Sequence, residues 1–172
     1  MNINSLLEYI GLIYKRKDII TGLLQEEIQF FIYNLNDGDQ YAEIKKHERE
    51  IGNMMHQCFG NSNFSIRQLN NALLVIGKLK DKIVSALIIE LRDTAWLWSI
   101  CRDKNFSNLG FGKKMIEFTL DYIHKIYPQY KKVYLYASQE FKSRTNFYKS
   151  LGFIETGKID DGDPEMVYNF LF

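Results

Sequence analysis

The sequence predicts an α/β domain in which a mixed β-sheet is covered by helices. Runs rich in Ile, Val, Phe, Tyr and Trp alternate with segments of helical periodicity. Turn-forming segments separate several of these runs, as in Asn36–Asp39 and Asp160–Pro164. The chain has 172 residues and a hydrophobic fraction of 46%, which is enough for one domain with a proper core.

The amino-acid composition argues against nucleic acids and membranes as binding partners. The net charge is +1, from 22 basic and 21 acidic residues without a long run of one sign, so nothing indicates nucleic-acid binding. The apolar runs are far shorter than the ~20 residues that span a bilayer, and the N-terminus lacks the pattern of a secretory signal. We therefore expect a soluble, cytoplasmic protein with no membrane partner.

The two cysteines, Cys58 and Cys101, are too few for a disulfide framework and lack metal-ligand spacing. Cys101 falls in an apolar strand, which predicts a buried free thiol. The three histidines are scattered along the chain. We therefore expect no metal site.

The first part of the chain divides at about residue 26. Residues 1–26 carry two apolar sets at helical spacing, which predicts one or two short amphipathic helices packed on the same domain. They either cap one face of the sheet or form a dimer contact or substrate lid. The main domain then covers residues 27–172, beginning with a strand over Glu27–Leu35 and a helix over Ala42–Cys58.

The middle of the chain predicts three strands and a long helix. Asn71–Lys78 and Ile83–Leu91 form an antiparallel hairpin, and Trp96–Arg102 is the next strand. Alternation directs both tryptophans of that strand to one face. A helix follows over Gly112–Tyr127 and ends at Pro128.

The last part predicts a strand, a helix and a hairpin. Val133–Ser138 is the strand, and Ser143–Leu151 is the helix, with Gly152 as a left-handed C-terminal cap. Phe153–Ile159 then pairs with Met166–Phe170. Neither an internal repeat nor a linker interrupts the sequence.

Two glycines, Gly110 and Gly112, lie between a strand and a helix. Glycine lets the backbone turn tightly and approach a ligand without interference from a Cβ atom. The N–H groups of the first helical turn lack intrahelical partners and lie at the positive end of the helix dipole. Such a turn can hold a pyrophosphate, although glycines also connect strands to helices for local reasons.

The residues around these glycines resemble the acetyl-CoA motif of the GNAT superfamily of N-acetyltransferases. In the block Trp98–Ile116, Phe106 falls on the family's aromatic position, and Ser107–Gly112 falls on its six-residue signature Arg/Gln-x-x-Gly-x-Gly/Ala. Ser107 stands where Arg or Gln is usual. A second block, Ser143–Phe153, resembles the family's later helix, which ends Phe/Leu-Tyr-x-x-x-Gly-Phe.

This resemblance implies a mostly antiparallel sheet of six to seven strands flanked by helices, with acetyl-CoA as acetyl donor and an amine as acceptor. The pantetheine arm would run along the strand backbone, and Lys113 and Lys114 either add positive charge near the pyrophosphate or form an exposed helix face. Phe141 stands where the family often has Asn. The implied cofactor-binding residues are Ile100, Cys101, Arg102, Ser107, Asn108, Leu109, Gly110, Phe111, Gly112, Lys113, Lys114, Phe141, Phe147 and Tyr148.

The resemblance also assigns catalytic roles. Tyr148 matches the family's tyrosine, which gives a proton to the departing thiolate, and a strand backbone N–H would stabilise the oxyanion. Trp98 stands where many relatives carry a Glu base. Glu90 is the nearest substitute, with Asp93 close behind, and works directly or through water, or else is an exposed charge at a hairpin end.

The sequence leaves the acceptor and the exact function open. The acceptor is a small-molecule amine, such as an amino sugar or polyamine, or a protein amino group. The final hairpin carries four acidic residues, which either attract this amine or form a solvated turn: Asp160, Asp161, Asp163 and Glu165. Trp96 and Trp98 either line the acceptor pocket or lie in the core. A non-catalytic acyl-CoA-binding module and an unrelated interaction protein are the alternatives, and a homodimer stays open.

Overall fold

In the computed structural model, the described residues are 28–60, 64–69, 72–106, 109–138 and 142–170. The predicted N-terminal helices over residues 1–26 lie outside these ranges. The proposed division of the chain at residue 26 therefore stays a prediction.

A sheet of seven strands forms the centre of the described structure. The strands are β1 (Ile28–Asn34), β2 (Ala72–Leu79), β3 (Lys82–Leu91), β4 (Ala95–Arg102), β5 (Lys132–Tyr136), β6 (Ile154–Asp160) and β7 (Asp163–Asn169). Their order is β1-β2-β3-β4-β5-β7-β6, and only the β4–β5 pair is parallel. The predicted mixed, mostly antiparallel sheet is confirmed.

Four α-helices accompany the sheet in the described ranges. They are α1 (Gly38–Lys45), α2 (Glu48–Phe59), α3 (Phe111–Ile126) and α4 (Lys142–Ser150). None of the helices in those ranges is long and apolar enough to cross a bilayer. After α4, Gly152 adopts the left-handed conformation (φ 92°) that its position predicts.

The prediction of one helix over Ala42–Cys58 is wrong, because two helices occupy this region. Asp37 begins α1 by accepting hydrogen bonds from the N–H groups of Asp39 and Gln40. The helical path breaks at His47 (φ −99°, ψ 5°). Periodicity hid the break because the buried Ile44 and Ile51 lie seven residues apart, a spacing that also fits two turns of a continuous helix.

Helices cover both faces of the sheet. Met115 and Ile123 of α3 pack in a buried cluster that includes Leu97 and Leu135 of the sheet. On the opposite face, α1 and α2 pack in a second buried cluster, to which Met55 contributes. The strands β4 and β5 are thus held from the α3 side by a continuous apolar core.

Cys58 and Cys101 form a disulfide that joins the end of α2 to β4, with their Cα atoms 5.9 Å apart. The predicted free thiol at Cys101 is therefore wrong, although its burial is confirmed. The sequence could not indicate this pairing because 43 residues separate the two cysteines and the packing of α2 against β4 brings them together.

We expect reduction of this disulfide to lower the free energy of unfolding by about 2–4 kcal/mol, because the bond closes a long loop in the unfolded chain. Urea unfolding with and without dithiothreitol measures the difference, and Cys58→Ser should make it vanish. Two free thiols in denatured, unreduced protein would contradict the bond.

Candidate active site

The strands β4 and β5 separate soon after they begin to pair. Their parallel pairing joins Ala95 to Val133 and Trp96 to Tyr134, whereas the strands continue to Arg102 and Tyr136. Beyond Trp96, the edge of β4 that faces β5 thus lacks a strand partner within the described residues. An extended ligand can add to such an edge through main-chain hydrogen bonds.

A β-bulge interrupts β4 at this opening. Trp98 pairs with Ile88 and Cys101 with Ala86, so Ser99 and Ile100 oppose a single residue of β3. Ser99 has a φ of 50°, a conformation that non-glycine residues rarely adopt. Because a bulge leaves one residue out of the ladder, it can turn a backbone N–H toward the space between β4 and β5.

The glycine turn lies after β4, at the N-terminus of α3. Gly110 is the N-cap in the left-handed conformation (φ 74°) and has no side chain with which to cap the helix. The N–H of Lys114 donates to the Gly110 carbonyl at 3.0 Å, so the N–H groups of residues 111–113 precede the first intrahelical bond. A methyl group at Gly112 would meet Phe147 Cζ at 3.9 Å, an ordinary contact.

The structure brings together many of the predicted cofactor-binding residues. Phe147 of α4 lies beside the glycine turn, and Leu109 is exposed at it. Lys113 is exposed and forms an ion pair with Glu117 at 3.7 Å, as an exposed helix face predicts. Ile100, Arg102, Phe111 and Lys114 lie on β4 and α3, and Ser107, Asn108 and Phe141 lie outside the described residues.

Cys101 lies in β4 as predicted, but its side chain is bonded to Cys58 on the α2 side. Only its backbone is then available to a ligand between β4 and β5. The neighbouring Ile100 packs against the core on the α3 side.

Tyr148 of α4 is buried, with 8% of its surface exposed. Its ring contacts Phe147 and Phe153, with centroid distances of 5.3 and 5.9 Å. Burial raises the pKa of Tyr148 to about 12, and the positive charge of Arg144 opposes part of this rise. At neutral pH the phenol is therefore protonated and able to donate a proton.

Four aromatic side chains form a surface on the face of the sheet opposite α3. We call this group, which consists of Trp96, Trp98, Tyr134 and Tyr136, the aromatic shelf. Trp96 stacks on the other three, with ring centroids 5.2–5.6 Å apart, and Trp98 and Tyr136 are 6.0 Å apart. Trp98 is 39% exposed, and the other three are half-buried. The shelf thus borders solvent, unlike the buried core.

Glu90 lies at one side of the shelf, directly across from Trp96 in the β3–β4 ladder. Its Oε2 accepts a hydrogen bond of 3.1 Å from Trp98 Nε1. Its Oε1 pairs with the exposed Arg92 at 2.5 Å. Glu90 thus lies near the end of β3 and next to β4, and its role as a base stays a prediction.

Glu165 of β7 lies at the opposite side, across from Tyr136. Its side chain is 5% exposed, and Oε1 accepts a hydrogen bond of 2.8 Å from Thr156 and lies 3.8 Å from Lys158 Nζ. Tyr136 donates to Oε2 at 3.4 Å. Burial, followed by the negative charges of Glu165 and Asp160, raises the pKa of Tyr136. Sequence reasoning grouped Glu165 with the acidic hairpin but missed that it is buried.

Comparison with known proteins places this geometry in a family. Residues 29–153 match the model of the acetyltransferase (GNAT) family, which confirms the resemblance found in the sequence. No curated protein sequence matches the chain significantly.

Solved structures share the fold at low sequence identity. Escherichia coli ElaA is 18% identical, with a TM-score of 0.61 over 83% of this chain and 99% of that one. A GNAT family acetyltransferase from Elizabethkingia anophelis, with acetyl-CoA bound, is 15% identical (TM-score 0.63, 83% and 98% covered). The PaiA N-acetyltransferase of Thermoplasma acidophilum, in complex with coenzyme A, is 12% identical (TM-score 0.57, 84% and 99% covered).

We expect Tyr148→Phe to weaken the alkaline loss of stability. The pKa of Tyr148 is higher in the folded chain than the ordinary value of 10.0, so its contribution is present below pH 10 and is lost as the pH rises toward about 12. Within that window each such group adds a slope of up to about 1.4 kcal/mol per pH unit. Urea unfolding at a series of pH values compares the two slopes, and equal slopes would contradict the assignment.

Proposed function

We propose that this chain, which belongs to the acetyltransferase (GNAT) family, transfers an acetyl group from acetyl-CoA to a primary amine. The observation that carries the proposal is the separation of β4 and β5 directly before a glycine-capped helix N-terminus. An extended thioester fits the first feature, and an anionic pyrophosphate fits the second.

The residues around the opening fit acetyl-CoA. The N–H groups of residues 111–113 bind the pyrophosphate, and the absence of a Cβ at Gly112 lets the backbone approach it. The pantetheine arm adds to the free edge of β4 between Leu97 and Arg102 as an extra strand would. Relatives with the same fold bind acetyl-CoA or coenzyme A, which supports this assignment.

The reaction is a direct transfer. The neutral amine nitrogen attacks the thioester carbon, a C–N bond forms, and the C–S bond breaks. The oxyanion accepts a hydrogen bond from the backbone at the Ser99–Ile100 bulge. Tyr148 gives its proton to the sulfur as the C–S bond breaks, so that coenzyme A leaves as a thiol; the raised pKa of Tyr148 means that the phenol carries this proton beforehand.

Glu90 receives the proton that the amine loses. The hydrogen bond from Trp98 Nε1 holds its carboxylate against the shelf, on the side from which the amine enters. If the carboxylate lies beyond hydrogen-bond distance of the amine nitrogen, one water molecule relays the proton between them. An amine with a pKa of about 10 is almost wholly protonated at neutral pH, so a group that accepts its proton is required.

A second candidate function is a non-catalytic acyl-CoA-binding module. Trp98 occupies the position where many relatives carry a Glu base, and Arg92 engages the nearby Glu90, which favours this alternative. Both functions include binding of CoA, but only the first requires turnover.

The cytoplasmic location expected from the sequence stays a proposal. The Cys58–Cys101 disulfide counts against a cytoplasmic location, because disulfides are rare in reducing compartments such as the cytosol.

We expect purified protein to release free thiol from acetyl-CoA only when an amine is added. Tyr148→Phe should lower kcat by roughly tenfold to a thousandfold while CoA affinity changes little, because the phenol acts on the leaving group and not on binding. A thiol reagent measures release, and calorimetry measures binding. CoA binding without release from any amine in a broad panel would favour the non-catalytic module.

We expect Gly112→Ala to weaken CoA binding by roughly tenfold or more, because the new methyl group stands where the backbone must approach the pyrophosphate. Stability should stay equal or rise by up to about 1 kcal/mol, since Ala favours a helix and meets only an ordinary contact. Calorimetry with CoA and urea unfolding measure the two effects.

Gly38→Ala is the matched control. Gly38 also lies in the first turn of a helix, and a Cβ there meets no atom within 4 Å. This variant should bind CoA as the wild type does. Equal affinities in both variants would place the pyrophosphate elsewhere.

A further inference from the structure

The aromatic shelf opens toward the place where the acceptor must arrive. Trp98 precedes the bulge at Ser99, and Tyr136 ends β5, so the two rings stand on either side of the separating strands. Their centroids are 6.0 Å apart, and Trp98 is the most exposed of the four rings. An amine that reaches the opening from this face must pass over aromatic surface.

Aromatic faces attract cations because the ring quadrupole is negative above the plane, and the effect is strongest for Trp. The shelf combines two Trp and two Tyr rings, and both of its sides end in a carboxylate. Glu90 lies beyond Trp98, and Glu165 lies beyond Tyr136. The surface therefore favours a positively charged group over a neutral or anionic one on electrostatic grounds.

Glu165 is the carboxylate best suited to hold a fixed charge. It is nearly fully buried, and the hydroxyl groups of Thr156 and Tyr136 donate to it. A buried carboxylate acts through a lower effective dielectric constant than an exposed one, so its attraction for a nearby cation is stronger.

Lys158 supplies the protein's own cation near Glu165. Lys158 Nζ lies 3.8 Å from Oε1, and the Lys158 side chain is 76% exposed. At this distance the pair makes no hydrogen bond, and holding the exposed Lys158 side chain in one place costs conformational entropy. A cation delivered by a bound molecule can therefore take the place of Lys158 beside Glu165.

We propose that the acceptor is an amine with a second cationic group, which lies over the Trp98–Tyr136 part of the shelf beside Glu165 while the reacting nitrogen enters between β4 and β5. This inference rests on the proposed acetyl transfer and names the substrate class of the same site. Glu90 keeps its role as proton acceptor for the reacting nitrogen, and Glu165 holds the nitrogen that does not react.

The test compares putrescine with butylamine, which have equal chain lengths but two and one cationic groups. Putrescine should show a KM roughly tenfold lower, as a cation–π contact with a nearby carboxylate provides. This preference for putrescine, measured as the ratio of the two KM values, should shrink as ionic strength rises, because salt screens the second charge. Equal KM values at low salt would overturn the proposal.

Two variants at the proposed cation site change the preference in opposite directions. Glu165→Gln should remove most of the putrescine preference, and Lys158→Met should increase it, because Met no longer competes for Glu165. Asp121→Asn is the control, since Asp121 pairs with Lys125 on α3, on the other face of the sheet. An unchanged preference in a folded Lys158→Met variant would contradict the placement of the cation.

A binding measurement separates failure of this inference from failure of the proposed function. Calorimetry with putrescine and butylamine in the presence of CoA needs no turnover. Tighter putrescine binding without thiol release would overturn acetyl transfer and support the cation site. Thiol release with equal binding of both amines would support the transfer and overturn the cation site.

A second pair of probes distinguishes the source of the second charge. Spermidine is a free polyamine, and a short peptide with a free N-terminus followed by lysine presents the same chemistry on a polypeptide. A preference for either probe over its singly charged counterpart supports the proposal and identifies the source. A preference for neither overturns it.

Discussion

The early separation of β4 from β5 is the constraint on which the rest of the site depends. Parallel strands normally satisfy each other's backbone groups along their length, and here the described pairing is confined to two residue pairs. The open edge must then find another partner, since unpaired backbone polar groups are costly once they are removed from water. A ligand with amide groups can supply that partner, so binding completes the sheet.

Several features fix the positions of the two strands. On the α3 side, Leu97 of β4 and Leu135 of β5 both pack in the core with α3, which fixes the floor of the opening. On the opposite face, the disulfide at Cys101 ties β4 to α2, two residues beyond the bulge at Ser99. On this same face, the shelf residues Trp98 and Tyr136 lie on either side of the opening between β4 and β5. The opening is therefore held in place by the fold before any ligand binds, which lowers the entropy lost on binding.

Much of the fold followed from local patterns. Alternation predicted that Trp96 and Trp98 share a face, and glycine chemistry predicted the turn before α3 and the cap after α4. The break at His47 was missed because Ile44 and Ile51 keep a helical spacing across it. The disulfide was missed because it depends on tertiary packing between residues far apart in sequence.

The parts of the candidate site that depend on backbone conformation could be predicted from the sequence. The parts that depend on tertiary contacts were harder to predict. Gly110 and Gly112 mark the turn before α3 by their residue type, so the sequence predicted this turn and, with it, the proposed place of the pyrophosphate. Glu165 belongs to an acidic run of the sequence, and such a run is equally typical of a solvated turn. Only the register of β7 against β5, which places it across from Tyr136, shows that this carboxylate is buried beside an aromatic surface.

The central claim is that coenzyme A completes the sheet along β4 and is held by the first turn of α3. Hydrogen exchange of backbone amides, followed with and without CoA, tests this most directly. The account predicts added protection for amides between Leu97 and Arg102 and for residues 111–113, with little change in the β1–β2 ladder. Binding of CoA that leaves exchange in both segments unchanged would contradict it.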